Sequence, residues 1–428
     1  VCGQVCPNPC MDACSRGVLL QEPVDIALLG GLSQEISAPE KDPARKEKVA
    51  VIGGGPGGIA AAWHLALAGI QVTLYEREEE LGGKIYQCIP EDRLPREILS
   101  HELDRFRSLG IEIHLNSPIN RKRYDQLCSE FDAVILATGA HAPRLIPFPG
   151  YEDVVPGIVF LKGINTRSPI NLEGKKAIVI GAGNVGMDIA CEAYNQGASS
   201  VIAVDIQAPA SFGKEQKMAQ ALGTQIIYPK FTESYSKKEG KLYFKDGSHL
   251  DTDVVFISIG ENPELDYLPE TVELFRGYVQ TDEYGHTNEK NLYAIGDVNK
   301  PGLITHALGA GLQVSRTVLA DLEGKPAQKR SDEMIDYALI GREYYERDRM
   351  SQPKDGDTEA LKCMSCGLCR DCGICEQSCY QGAISRQETE DDGYEYVVND
   401  DLCIGCGFCA AVCPCGIWQM YPMEERNV

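Results

Sequence analysis

Val51-Ile52-Gly53-Gly54-Gly55-Pro56-Gly57-Gly58 joins an apolar run at 49–52 to an alanine-rich helical pattern at 59–68, and a second apolar run follows at 71–75. Strand, glycine loop, helix and strand in this order read as a dinucleotide-binding crossover unit. Gly53 permits the tight turn, Gly55 lets the backbone beside Pro56 approach a pyrophosphate, and Gly58 lets the helix pack on the strand. The helix N-terminus then faces the negative charge. Glu76 ends the second strand, where a carboxylate can accept from a ribose hydroxyl.

The same order recurs from 177. A strand at 177–180 leads into Gly181-Ala182-Gly183-Asn184-Val185-Gly186, a helix through Tyr194 and a strand at 200–204 that ends at Asp205. Two loops of this kind imply two dinucleotides, and the economical pair is FAD on the first and NAD(P) on the second. Asp205 favours a free 2′-hydroxyl and repels a 2′-phosphate. Its neighbours Ile206, Gln207 and Ala208 supply no arginine, so the expected nucleotide is NADH. Further strands are expected at 133–136, 242–244, 254–259 and 291–295, with Asp246-Gly247 as a turn and a helix at 304–322. Gly260, just past the strand at 254–259, is counted with the NAD site. A polar stretch at 328–359 reads as irregular.

The 18 cysteines fall four in 2–14, eleven in 363–415 and three between. A large cysteine-poor middle flanked by dense clusters is unlike a secreted disulfide scaffold and points to metal or cluster ligation in a reducing compartment. Cys369-x2-Cys372-x2-Cys375-x3-Cys379 and Cys403-x2-Cys406-x2-Cys409-x3-Cys413-Pro414 form the bacterial two-cluster ferredoxin pattern, in which the distant fourth cysteine crosses to the other cube. One [4Fe–4S] cluster is expected on Cys369, Cys372, Cys375 and Cys413, the other on Cys403, Cys406, Cys409 and Cys379. Tyr380 replaces the usual proline, zinc is the rival metal, and Cys363, Cys366 and Cys415 lie outside the register. Cys2, Cys6, Cys10 and Cys14 recur every four residues, which on one helix spans about 18 Å, too far for one cluster. Pro7 and Pro9 break such a helix. A short amphipathic stretch follows at 24–36, then a polar linker at 37–48.

These motifs together resemble the glutamate synthase small-subunit family of FAD/NAD(P)H oxidoreductases, over about 2–322. The resemblance rests on Cys6-Pro7-Asn8-Pro9-Cys10…Cys14, on Leu81-Gly82-Gly83, and on the segment 89–95, Ile-Pro-Glu-Asp-Arg-Leu-Pro. It also rests on Ala137-Thr138-Gly139 and Ala294-Ile295-Gly296-Asp297. It implies that Gly83, Lys84, Arg93, Thr138 and Gly139 lie by FAD, that Gly296 and Asp297 hold the ribityl chain, and that the helix from Thr305 aims its N-terminus at the flavin edge. It further implies that Cys6 serves one N-terminal cluster and that Cys10 and Cys14 serve another, with upstream cysteines completing both; the record, opening at Val1 inside a cysteine motif, is expected to lack them.

The expected architecture is α/β: two Rossmann-like domains, for FAD and NAD, between an N-terminal helical Fe–S segment and a C-terminal 2[4Fe–4S] ferredoxin-like domain. Residues 1–40 are the N-terminal segment, 47–150 with 275–325 the FAD domain, and 151–274 the NAD(P) domain. Residues 326–360 form a linker and 361–428 the ferredoxin domain. A net charge of −22 argues against a nucleic-acid partner, no run suits a membrane-spanning helix, and a cytoplasmic location is expected. The function expected is transfer of electrons between NAD(P)H and [4Fe–4S] clusters, a flavin dividing the electron pair, onward to other subunits of a redox complex or a soluble ferredoxin. Alternatives are an electron-bifurcating subunit, a non-catalytic electron-transfer or assembly subunit, and a disulfide reductase. Cys88 stands alone against the last.

Overall fold

The computed structural model describes residues 2–6, 8–32, 37–166, 168–211, 213–328, 336–341, 356–366, 368–389 and 393–421. Packing divides the chain into two units, Val1–Pro7 with Gln34–Arg330, and Asn8–Ser33 with Ser331–Val428.

In the first unit the elements are β1 (Lys48–Ile52), α1 (Pro56–Leu67), β2 (Gln71–Tyr75), β3 (Glu112–His114) and β4 (Ala133–Leu136). The second crossover follows with β5 (Lys176–Ile180), α2 (Asn184–Asn195), β6 (Ser200–Val204), β7 (Gln225–Ile227) and β8 (Val254–Ile257). The chain ends its course here with β9 (Leu292–Ala294) and α3 (Ile304–Leu322). The first sheet has the order β9-β4-β1-β2-β3, all parallel. The second sheet has the order Val155–Pro156, β8, β5, β6, β7, also parallel. β1 and β5 therefore hold the same central place, with the order reversing beside each, and crevices open beyond their C-terminal ends. Both strands bury every residue after the first, as parallel strands covered on both faces do.

α1 begins three residues earlier than the sequence pattern suggests, because Pro56 suits the first helical position, where no N–H is needed. α3 spans the expected residues. It crosses α1 closely: a Cβ on Gly311 would lie 2.6 Å from the Gly57 carbonyl oxygen and 2.6 Å from the Ala60 Cβ. On the second sheet, Phe160, Leu161 and Met187 cover one face. The antiparallel strands Thr232–Ser236, Lys241–Phe244 and His249–Asp251 cover the other through Tyr235, Leu242 and Phe244. Of these three strands only the middle one is legible in the sequence. Each large apolar side chain buried in these layers contributes about 1.5–3 kcal/mol.

The second unit contains the antiparallel hairpin Ile384–Glu388 and Tyr394–Val398 and two short helices, Ile374–Ser378 and Phe408–Val412, packed on each other. Residues 8–32 do not form one helix. Pro9–Asp12, Ser15–Leu20 and Ile26–Leu32 are separate, with Pro9 opening the first of them. Of the expected amphipathic stretch, 33–36 lies outside the described residues. So do 329–335 and 342–355 of the expected linker; its described parts include a turn at Tyr337–Leu339 and the start of the helix Gly356–Leu361. Among the described residues no helix is long and apolar enough to cross a membrane.

Gly311→Ala should push α1 and α3 apart and cost about 1–3 kcal/mol, the usual range for overpacking. A lower melting temperature and reduced flavin retention would show it; unchanged values would refute the close crossing.

Candidate functional site

Each glycine loop is closed by the acid at the end of the next strand. Gly54 N–H donates to Glu76 Oε2 at 2.6 Å, and Glu78 N–H donates to Oε1 at 2.9 Å. In the repeat, Ala182 N–H donates to Asp205 Oδ2 at 2.8 Å, and Gln207 N–H donates to Oδ1 at 3.2 Å. Gly53 and Gly181, with φ of 111° and 107°, bring the loops against the Ala137 and Ser258 carbonyls. Gly58 and Gly186 lie against the carbonyls of Gly53 and Gly181, so a side chain at either would force helix from strand. Gly55 and Gly183 face open space, which leaves each loop backbone approachable by a ligand.

The first loop opens on a cavity of about 650 Å³. From this loop, Gly53, Gly55 and Pro56 line it, with Glu76 from the end of β2. Gly83, Lys84 and Arg93 line it from the segment after β2, and Thr138 and Gly139 from the end of β4. Gly296, Asp297 and Thr305 complete that wall, with the N-terminus of α3 at the cavity edge. Of the residues expected at FAD, only Gly58 is absent from the lining. Of those expected at NAD, Asn184 and Val185 line the cavity, whereas Gly181, Gly183, Gly186, Asp205 and Gly260 do not. Cys6 also lines it.

Charged groups cross this cavity. Lys84 Nζ lies 3.0 Å from Asp297 Oδ2 and 3.2 Å from Glu261 Oε2. Burial pulls the Lys84 ammonium down, but these two carboxylates hold it above its ordinary value. Arg93 pairs with Asp188 on α2 and, at 2.7 Å, with Glu215. Burial pushes Asp188 up to about 6 even though Arg93 opposes the shift. Glu215 Oε2 is buried with no hydrogen-bond partner among the described residues. Asn165 Nδ2 donates to the Ile89 carbonyl at 2.9 Å, tying the segment before the second sheet to the segment before Arg93. Burial also lowers His141 to about 4 and raises Cys88 to about 12. At neutral pH Cys88 is therefore a thiol, without the thiolate that disulfide exchange requires.

Asp188, Glu215, His141 and Glu261 were not singled out from the sequence. Asp188 follows Asn184 by one helical turn, so helix periodicity could have found it. Glu215 carries no such signal.

In the second unit Cys369, Cys372, Cys375 and Cys413 line one small pocket with Cys415. Trp418 Nε1 is buried and lies against the Cys375 sulfur as a donor, where a sulfur of a bound cluster would also accept from it. Burial raises the Cys409 thiol, and the nearby Cys403 and Cys406 raise it further. Ala383 N–H donates to Cys379 Sγ at 3.3 Å. Among the described residues no three His, Cys, Asp or Glu side chains converge on one ion-sized position.

Residues 47–311 match the pyridine nucleotide-disulphide oxidoreductase family and residues 362–417 match a 4Fe–4S dicluster domain. The chain belongs to the pyridine nucleotide-disulphide oxidoreductase family. With it come the dinucleotide-binding fold and FAD/NAD(P) binding; the dicluster domain brings 4Fe–4S clusters in place of the zinc alternative.

The expected resemblance to glutamate synthase small subunits also holds. The chain is 36% identical over 225 residues to the glutamate synthase [NADPH] small chain of Mycobacterium tuberculosis, covering 46% of this chain and 45% of that one. It is 35% identical over 237 residues to the NADP(+)-dependent formate dehydrogenase subunit beta of Moorella thermoacetica, covering 47% and 33%. It is 29% identical over 348 residues to the NAD-dependent dihydropyrimidine dehydrogenase subunit PreT of Escherichia coli, covering 76% and 82%. The chain thus spans less than half the length of the first two. Among solved structures, M. tuberculosis FprA in complex with NADPH gives a TM-score of 0.52 at 18% identity, covering 67% of this chain and 88% of that one. T. acidophilum thioredoxin reductase gives 0.51 at 19%, covering 65% and 100%. Both show the fold alone.

Removing Arg93 leaves the buried Glu215 and the partly buried Asp188 without their cation, and breaking a buried pair from one side costs about 3–5 kcal/mol, with the lower end fitting partial burial. Asp188, already pushed up to about 6 by burial, would then lose the cation that opposes the shift, so the penalty is full where it ionises, above its folded value, and is relieved as pH falls through that value. Arg93→Ala should therefore be destabilised by about 3 kcal/mol at pH 7.5 and by much less at pH 5, measured by denaturant unfolding at both. An equal loss at the two pH values would contradict the coupling.

Proposed function

We propose that this chain carries electrons between NADH and 4Fe–4S clusters with one FAD as intermediary. The observation that carries this reading is the single cavity lined on one side by the first glycine loop, Asp297 and the α3 N-terminus, and on the other by Asn184, Val185 and Asp188 of the second crossover. FAD bound there would take a hydride from a nicotinamide and release electrons singly to one-electron acceptors, chemistry that no side chain supplies.

The chain's own residues bind and orient. The α3 N-terminus presents positive dipole charge to the cavity. The Lys84–Asp297 pair fixes a carboxylate where the resemblance places the ribityl chain. Arg93 clasps Asp188 and Glu215 and so ties the loop after β2 to the second crossover. Cys369, Cys372, Cys375 and Cys413 would hold one cluster, and Cys403, Cys406, Cys409 and Cys379 the other. Cys6, Cys10 and Cys14 would serve N-terminal clusters.

The boundaries proposed for the FAD domain are 47–150 with 275–325, and for the NAD domain 151–274. A redox partner subunit or a soluble ferredoxin is the proposed acceptor. Relatives named formate dehydrogenase subunit beta and PreT, a dihydropyrimidine dehydrogenase subunit, support a role within a larger complex.

The test is anaerobic purification with iron, sulfide and flavin counting, then titration with NADH and NADPH. NADH should bleach the flavin and reduce the clusters. If neither nucleotide bleaches it, the reading fails and a non-catalytic assembly role replaces it. Asp205 sets the nucleotide preference in this reading. A hydrogen bond to a charged group is worth about 1.5–3 kcal/mol, so Asp205→Ala, which also frees the Ala182 N–H of the second loop, should lower kcat/KM for NADH by about 10–100-fold more than for NADPH. Equal losses with both nucleotides would remove Asp205 from that role.

A further inference from the structure

Three loops of the second unit share one spacing. Cys363-Met364-Ser365-Cys366-Gly367-Leu368-Cys369, Cys369-Arg370-Asp371-Cys372-Gly373-Ile374-Cys375 and Cys403-Ile404-Gly405-Cys406-Gly407-Phe408-Cys409 all read Cys-x-x-Cys-Gly-x-Cys. The likeness extends to the backbone. Two residues after the opening cysteine the chain takes a left-handed turn in each loop, with φ of 50° at Ser365, 52° at Asp371 and 67° at Gly405. Side-chain-bearing residues rarely adopt that conformation, yet two of the three positions are not glycine.

The turn aims a backbone donor at the sulfur. Ser365 N–H donates to Cys363 Sγ at 3.4 Å, and Asp371 N–H donates to Cys369 Sγ at 3.4 Å. Hydrogen bonds to ligand sulfurs are one of the ways a protein stabilises a charged cluster. The turn at 363–366 is thus built like the one at 369–372. Cys369 is taken by the pocket it shares with Cys372, Cys375 and Cys413, which leaves Cys363 and Cys366.

The segment that packs on this loop follows two further thiols, Cys10 and Cys14. The helix Ser15–Leu20 starts directly after Cys14. Its buried Arg16 donates from Nη1 to the carbonyl of Lys362, the residue before Cys363, at 3.3 Å. Leu20 is buried with Ile340 and Met364, and Leu19 and Cys366 pack against that group. Asp25 N–H donates to Glu359 Oε1 at 2.7 Å. Cys10 and Cys14 therefore belong to the same packed body as Cys363 and Cys366, and the segment following Cys14 lies along the loop.

We propose that Cys363 and Cys366 are ligands of a third [4Fe–4S] cluster, completed by Cys10 and Cys14. The set is four thiolates, the donor chemistry of such a cluster, drawn from the two ends of the chain. Binding would staple the N-terminal segment to the ferredoxin portion, since the metal closes a loop of several hundred residues. The proposal rests on the ferredoxin ligand sets given above.

The test uses the full-length protein, purified anaerobically, with iron and sulfide per chain and low-temperature electron paramagnetic resonance after dithionite reduction. Cys363→Ser/Cys366→Ser and Cys14→Ser should each lose about four irons and four sulfides while the magnetically coupled signal of the ferredoxin pair persists, which also reports that the unit is folded. Cys363→Asp, whose carboxylate can still ligate, should keep the iron but shift one signal. Unchanged iron in either serine variant, or an unmoved spectrum in Cys363→Asp, overturns the proposal. If the wild-type protein lacks the coupled pair itself, the ferredoxin reading falls and takes this one with it. If the pair is present and only these variants are silent, the ferredoxin reading stands and this one alone fails.

Discussion

A carboxylate that accepts the N–H of the second residue of a glycine loop is the contact on which both nucleotide units depend. Glu76 bonds Gly54 and Asp205 bonds Ala182, each reaching back from the end of the neighbouring strand. Such a bond fixes the loop relative to the sheet, and a bond between a charged acceptor and a backbone donor is among the stronger ones available. With the loop held, the first and third glycines let it pass under its own helix and leave the second facing open space. A Cβ at Gly58 or Gly186 would collide with the loop's own carbonyl, so sequence and geometry are closely coupled here.

Charge management across the cavity follows from that frame. The crevices beyond β1 and β5 open toward one cavity, and the groups at its boundary are of opposite sign and partly buried, Glu215 fully so. Lys84 stands against Glu261 and Asp297, and Arg93 against Asp188 and Glu215. Buried charges persist only when paired, so these contacts restrict how the two crossovers meet. The raised Cys88 and lowered His141 mark the same low-polarity surroundings, which hold both groups neutral near pH 7. Such surroundings disfavour thiol exchange and are compatible with the proposed hydride transfer.

The second unit solves a different problem. It is small, and its buried apolar groups are few, among them Leu20, Ile340 and Met364. Two similar loop-and-helix halves, each with a left-handed glycine ahead of its helix (Gly373 and Gly407), set their cysteines by spacing alone. Metal-ligand bonds can replace a hydrophobic core as the source of folding energy. The N-terminal segment adds to this unit apolar and polar contacts from Arg16, Leu20 and Asp25.

The residue order alone determined the doubled crossover, the cysteine register and the helix over Ile304–Leu322, because each is a local pattern: a loop between strand and helix, a spacing of two and three, an apolar period. The helix starting at Pro56 and the lone central strand of the 232–251 sheet were partly legible for the same reason, while the flanking strands, with polar and weakly alternating residues, were not. Only tertiary structure decided that Arg93 meets Asp188 and Glu215, that Lys84 meets Asp297, and that the helix Ser15–Leu20 packs beside Met364 and Cys366. These partners lie from 95 to more than 300 residues apart in the chain, and no local spacing encodes which distant charge or apolar face will complete a buried pair. They are selected by the cost of leaving such groups unpaired once the sheets have formed.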